Sequence, residues 1–138
     1  MSGFLSVPLA PPGSTGNNSH QSVGLGPAPV LVAVEFVVEQ VGATPQITFK
    51  LQGTFDPGQV ADGAANWFDL IMLASDNETA AVLTTLNPAV VGAVLRYLSH
   101  GGATKGGRVR FVPRVRLVTS ANTNVTYRTN LRSQYANT

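Results

Sequence analysis

The residues most suggestive of chemistry are four aspartates, Asp56, Asp62, Asp69 and Asp76, because calcium takes oxygen ligands. Their spacing fits no EF-hand loop, and Asp56-Pro57-Gly58 is accounted for by a turn alone. The chain has no cysteine and only two histidines, His20 and His100. That excludes a disulfide, a thiolate site and a cysteine nucleophile, and leaves too few ligand types for an ordinary zinc site. There is no Gly-x-Ser-x-Gly elbow and no phosphate loop. The sequence therefore reads as non-enzymatic, with no metal and no cofactor expected. Trp67, beside Phe68, is a conceivable platform for a sugar, although one tryptophan in such a setting is more often a core or rim residue. Asn17, Asn77 and Asn124 head glycosylation-like triplets, which arise readily by chance in a chain rich in Asn, Ser and Thr.

The charges are few and unevenly placed. Of 138 residues, 12% are charged and 43% are hydrophobic, so one domain with a real core is expected. No charged side chain precedes Glu35. All the acids lie between Glu35 and Glu78, with Lys50 among them, and every other base lies between Arg96 and Arg132. A basic C-terminal half is a candidate footprint for nucleic acid. Arg108, Arg110, Arg114 and Arg116 would line one strand face, with Arg128 and Arg132 as a second row. The aromatic residues that single-strand binders interleave with such bases, here Phe111 and Tyr127, fall on the opposite face, so nucleic acid is not the expected partner. Arginine suits paired contacts with carboxylates, and Glu35 and Glu39 are available partners. The acidic and basic regions pair either within one subunit or between copies, and both remain open here.

The elements that carry these residues are strands. Residues 1–28 are rich in Pro and Gly, show no periodicity and carry Phe4, Leu5, Val7, Leu9, Val23 and Leu25 without charge. They read as an extended N-terminal arm that docks along another surface. From Val30 the period becomes two, with Val30, Val32, Val34, Phe36 and Val38 on one face and Glu35 and Glu39 on the other. After a Gly-Ala-Thr-Pro turn, Ile47, Phe49, Leu51 and Phe55 alternate with Gln46, Thr48, Lys50, Gln52 and Thr54. A third strand is expected over 66–73, with Phe68, Leu70 and Met72 together and Trp67 opposite. The stretch 87–102 fits either a helix or a strand. Its β-branched residues and Gly92 favour the strand, with Val91, Ala93, Leu95 and Tyr97 on one face. The alternation over 108–120 is strict, and Pro113 marks an edge or a bulge. Residues 120–124 read as a turn, and the last strand puts Val125, Tyr127, Thr129 and Leu131 inward. The sum is an all-β chain: an arm over 1–28 and, over 29–138, a single antiparallel β-sandwich of six to seven strands. No apolar run of about 18 residues is present, so no membrane span is expected. The N-terminus lacks the basic start and apolar run of a signal peptide.

The segments Ile47 through Asp56, Asn66-Trp67-Phe68-Asp69-Leu70, and Arg114 through Arg128 carry a resemblance. Over residues 46–132 the chain resembles small β-sandwich virion proteins of tailed bacteriophages, most nearly a capsid decoration, or head accessory, protein. The resemblance implies a place on the capsid exterior, contact with the major capsid protein and with copies of itself, and a homo-oligomer, often a trimer in that group. It also implies a terminal arm that clasps neighbours. The 57–65 loop departs from the pattern. A tail tube or tail-associated protein is the alternative within the same class, and a carbohydrate- or nucleic-acid-binding module is the alternative outside it.

Overall fold

Two strands of unusual length organise the molecule. The structure, a computed structural model, describes residues 3–25, 29–73, 80–81, 84–88, 90–98 and 113–135. Its strands are β1 (Gly3–Ser14), β2 (Val23–Gly24), β3 (Pro29–Thr54), β4 (Phe68–Asp69), β5 (Met72–Leu73), β6 (Ala80–Ala81), β7 (Thr84–Leu86), β8 (Gly92–Leu98) and β9 (Arg114–Tyr135). All described pairings are antiparallel. β3 and β9 pair along their whole lengths, from Pro29 opposite Tyr135 to Thr54 opposite Arg114.

This long ribbon is bent double. Register shifts fall between Val41 and Gln46 of β3. Thr44, Ala121 and Asn124, on the two strands at that level, have φ of 44°, 51° and 55°. Three non-glycine residues in the left-handed region turn both strands at once, and asparagine tolerates that conformation best. Asn124 Nδ2 donates to the Ala43 carbonyl at 2.6 Å, and Asn122 Oδ1 accepts from the Val125 N–H at 3.1 Å. The Gly-Ala-Thr-Pro and 120–124 segments, read from sequence as turns that end strands, are therefore bulged bends inside continuous ones.

Bending lays one half of each strand over the other. The first layer holds β1, the second half of β9, the first half of β3, then β8, β5 and β6. The second layer holds β2, the first half of β9 and the second half of β3, with β4 and β7 on its far side. This is the all-β antiparallel sandwich that the alternation predicts. Val32, Val34, Phe36 and Val38 from the first half of β3 face Ile47, Phe49 and Leu51 from the second half. Val115, Leu117, Val125, Tyr127 and Leu131 of β9 complete that core.

The N-terminal segment differs from the expected arm. β1 pairs with β9 from Gly3 opposite Tyr135 to Ser14 opposite Tyr127. Past the bend, Ser19 bridges Val118 and β2 pairs with Val115 and Arg114. Residues 3–25 therefore clasp β9 of their own chain over both layers. Leu9, Ala10 and Leu25 are buried in the core, and Val23 packs against it. Pro8, Pro11 and Pro12 hid this strand from a periodicity reading. They are tolerated because β1 is an edge strand with bulges between Pro8 and Ala10 and between Ala10 and Ser14.

Candidate functional site

The acidic and basic halves of the sequence meet on the outer face of the ribbon. Outward residues of β3 and β9 fall opposite or diagonal to each other, where side chains can touch. Arg128 Nη1 lies 3.2 Å from Glu39 Oε2, and Arg132 Nη2 lies 3.1 Å from Glu35 Oε1. Asn130 Nδ2 adds a 3.3 Å contact to the same Glu35 oxygen. Burial pushes the Glu35 carboxyl upward, but the Asn130 and Arg132 hydrogen bonds and the Arg132 and Arg128 charges outweigh it and hold it below its ordinary value. Glu39 also accepts the Gly13 N–H at 2.7 Å, which ties β1 to this row. Of the two pairings left open by the sequence, the one within a subunit is thus present for Arg128 and Arg132.

Arg114 and Arg116 do something else. They share the outer face, as expected, but Arg114 is buried because the 55–67 loop folds over it. Its Nη1 donates to the carbonyls of Pro57 at 3.1 Å and Val60 at 2.9 Å. Its Nη2 sits 3.9 Å from Asp62 Oδ1. Trp67 covers both guanidinium groups, with Arg116 Cζ 4.3 Å and Arg114 Cζ 5.4 Å from the ring centroid. The indole N–H donates to the Asp62 carbonyl at 2.8 Å. Asp62 also accepts from Ser22 N at 2.8 Å and Ser22 Oγ at 2.6 Å, joining the loop to the N-terminal segment. Burial raises the Asp62 carboxyl, and the Ser22 hydrogen bonds with the Arg114 and Arg116 charges bring the net below its usual range. Trp67 is therefore a cover over arginines. Asp56 accepts the Asn66 N–H at 2.6 Å and Asp69 pairs with Lys50 at 3.1 Å, so these aspartates serve loop and strand contacts. Among the described residues no group of three metal-ligating side chains converges.

The strap between β1 and β2 is pinned by a buried polar chain. His20 Nε2 lies 2.7 Å from Tyr127 Oη, which lies 2.9 Å from Thr119 Oγ1. Tyr127 is fully buried, and the hydroxyl relieves what an unpaired phenol would cost there. Burial holds the His20 imidazole below its ordinary pKa.

Among the described residues, large apolar side chains are exposed in two places. Phe55 and Phe68 stack at 5.6 Å, with Ile71 two positions beyond β4, and Phe55 is 67% exposed. Phe55 was expected on the core face with Ile47 and Leu51. The chain leaves the strand at Thr54, so the alternation ends one residue before it. Val90 and Val91, before β8, are 72% and 57% exposed. They lie at the bend end of the sandwich, because Gly92 pairs with Val38 and Leu86 with Ile47. Phe55 follows Thr54 at the other end.

The expected assembly residues thus divide. Leu9, Leu25 and Val23 are core or near-core, and Val7 is half-buried opposite Leu131. Phe4 and Leu5 lie on β1 opposite Gln134 and Ser133. Glu35, Glu39, Arg128 and Arg132 form the ion-paired face, and Arg114 and Arg116 the loop clamp. Arg108 and Arg110 lie outside the described residues, as do His100, Asp76, Asn77 and Phe111. The exposed Phe55, Phe68, Val90 and Val91 were missed as a surface. Their signal was the ending of alternation at turn-forming Asp-Pro-Gly and Asn-Pro segments.

A bent-ribbon sandwich with ion-paired faces and apolar ends is the class of protein these features define. No protein-family model matches the sequence, and no curated protein matches it. The fold is similar to the crystal structure of SPBc2 prophage-derived protein YomS, with a TM-score of 0.63 over 97% of this chain and 95% of that one. The two are 9% identical in sequence, so the likeness is one of fold.

Proposed function

We propose that this chain is a non-enzymatic structural protein of a bacteriophage particle, and specifically a capsid decoration protein. The observation that carries the phage reading is the end-to-end match in fold to a prophage-derived protein, with nearly all of both chains aligned. The sequence resemblance over residues 46–132 supports decoration, with the major capsid protein and sister copies as partners. A tail tube or tail-associated role is the second reading. It is favoured by one feature, the apolar residues at both ends of the sandwich, which suit end-to-end stacking. The test is quantitative mass spectrometry of gradient-purified particles. The reading requires the protein to co-migrate with intact particles in many copies. Its absence from particles, with abundance in the soluble lysate, overturns it.

A further inference from the structure

We propose that copies of this chain associate end to end, the Phe55–Phe68 pair of one seating in the Val90–Val91 groove of the next. The proposal deepens the structural-protein reading and rests on it for its biological setting, but the contact itself is a property of the purified chain.

The two apolar surfaces lie at opposite ends of the sandwich. Phe55 projects past the end of β3, stacked on Phe68. At the bend end a groove of about 310 Å³ is bounded by Val38, Leu86, Pro88, Val90, Val91 and Val94, and among the described residues no charged side chain lines it. A cavity of about 150 Å³ holds one benzene ring. The groove therefore has room for both phenyl rings. From Ile47, at the groove's level, to Phe55 the strand advances about 26 Å, so one molecule cannot bring its own pair to its own groove.

Charge selects groove over knob. Asp56 follows Phe55, and none of the described ion pairs includes it. Pairing two knobs about a two-fold axis would bring the Asp56 carboxylates of both copies toward each other, whereas the uncharged groove imposes no such repulsion. A knob meeting a groove on a different part of the surface is a heterologous contact, which repeats into rings or open stacks.

The area sets the strength. The two rings offer roughly 200 Å² of apolar surface at their exposures, taking 150–250 Å² for an aromatic residue. A stable interface covers about 800 Å² per partner. The pair is therefore the centre of a contact that is weak between two copies and gains by repetition in a ring or on a particle.

The chain has no cysteine, which makes the test direct. Phe55→Cys and Val90→Cys proteins are purified separately and oxidised alone and mixed. The proposal expects a disulfide-linked dimer from the mixture well above that from either protein alone. It also expects a sedimentation coefficient that rises with concentration for the unmodified chain and is constant for Phe55→Asp, with circular dichroism unchanged. As much dimer from Phe55→Cys alone as from the mixture, or a monomeric chain at every concentration, overturns it. A monomer that still co-migrates with particles sinks this contact only, and a stacking chain absent from particles sinks the particle reading only.

Discussion

Phe36 and Phe49 lie on the same strand, thirteen positions apart, yet their rings stack in parallel with centroids 4.3 Å apart. Extended without a bend, that stretch would separate them by about 43 Å. Tyr127 stacks on Phe36 from the neighbouring strand at 5.2 Å. The aromatic stack is thus the fastening between the two halves of the folded ribbon. Phe36→Ala and Phe49→Ala should each lower stability by about 3–5 kcal/mol. The double variant should lose less than the sum of the two, by about 0.5–1.5 kcal/mol, because either change alone already breaks the stack. Urea unfolding of the four proteins measures this.

The bend has its own weak point at Gly42. A Cβ there would come within 2.9 Å of Asn124 Cβ, a side-chain atom held close to the backbone. Gly42→Ala should cost about 1–3 kcal/mol through forced repacking. The same substitution at Gly58, where nothing lies within 4 Å, should change stability little. Thermal melts of the two variants make the comparison.

Arg114 holds the 55–67 loop through two backbone carbonyls, and the single tryptophan reports on it. Arg114→Ala leaves the Pro57 and Val60 carbonyls without that donor and removes the charge 3.9 Å from Asp62. It should cost about 1–3 kcal/mol, the range for leaving buried acceptors without a partner. Trp67 emission should shift to the red, and protease cleavage in the loop should accelerate.

His20 makes stability depend on pH in one direction. Its folded pKa lies below the ordinary 6.5, so the fold favours the neutral ring. Its contribution is complete above pH 6.5 and falls as the pH drops from there toward the folded value, since the unfolded chain takes up the proton first. His20→Asn should flatten the decline in stability between about pH 7 and pH 5. The His20 resonance should titrate in nuclear magnetic resonance with a midpoint below 6.5.

The outer-face ion pairs should matter little. Arg128 and Arg132 are 42% and 55% exposed, and such pairs contribute about 0.2–1 kcal/mol, less at high salt. Arg128→Ala and Arg132→Ala should each stay within that range in denaturant titrations. With these bases already paired, DNA binding should be weak at physiological salt in a fluorescence-anisotropy titration with duplex DNA.

Strict alternation made the core legible in the sequence. Val32, Val34, Phe36 and Val38, and Val125, Tyr127 and Leu131, are buried as their period required, and residues 92–98 form the strand favoured over a helix. What alternation could not reveal was continuity. Val41 to Gln46 and Ser120 to Asn124 carry turn residues whether a strand ends or merely bends, and only long-range pairing distinguishes the two. Nor could it reveal β1, whose prolines break the pattern at an edge where missing donors cost nothing. The charge asymmetry was plain in the sequence, but its meaning depended on β3 lying beside β9. That placed Glu39 against Arg128 and Glu35 against Arg132 in one subunit.

Cryogenic electron imaging of purified particles, with this protein carrying a density tag at its C-terminus, tests the central claim most directly. A structural role in the particle predicts tag density at regular positions, over the capsid exterior for a decoration protein or along the tail for the second reading. Particles without tag density, from cells that express the tagged protein in full, would contradict the account.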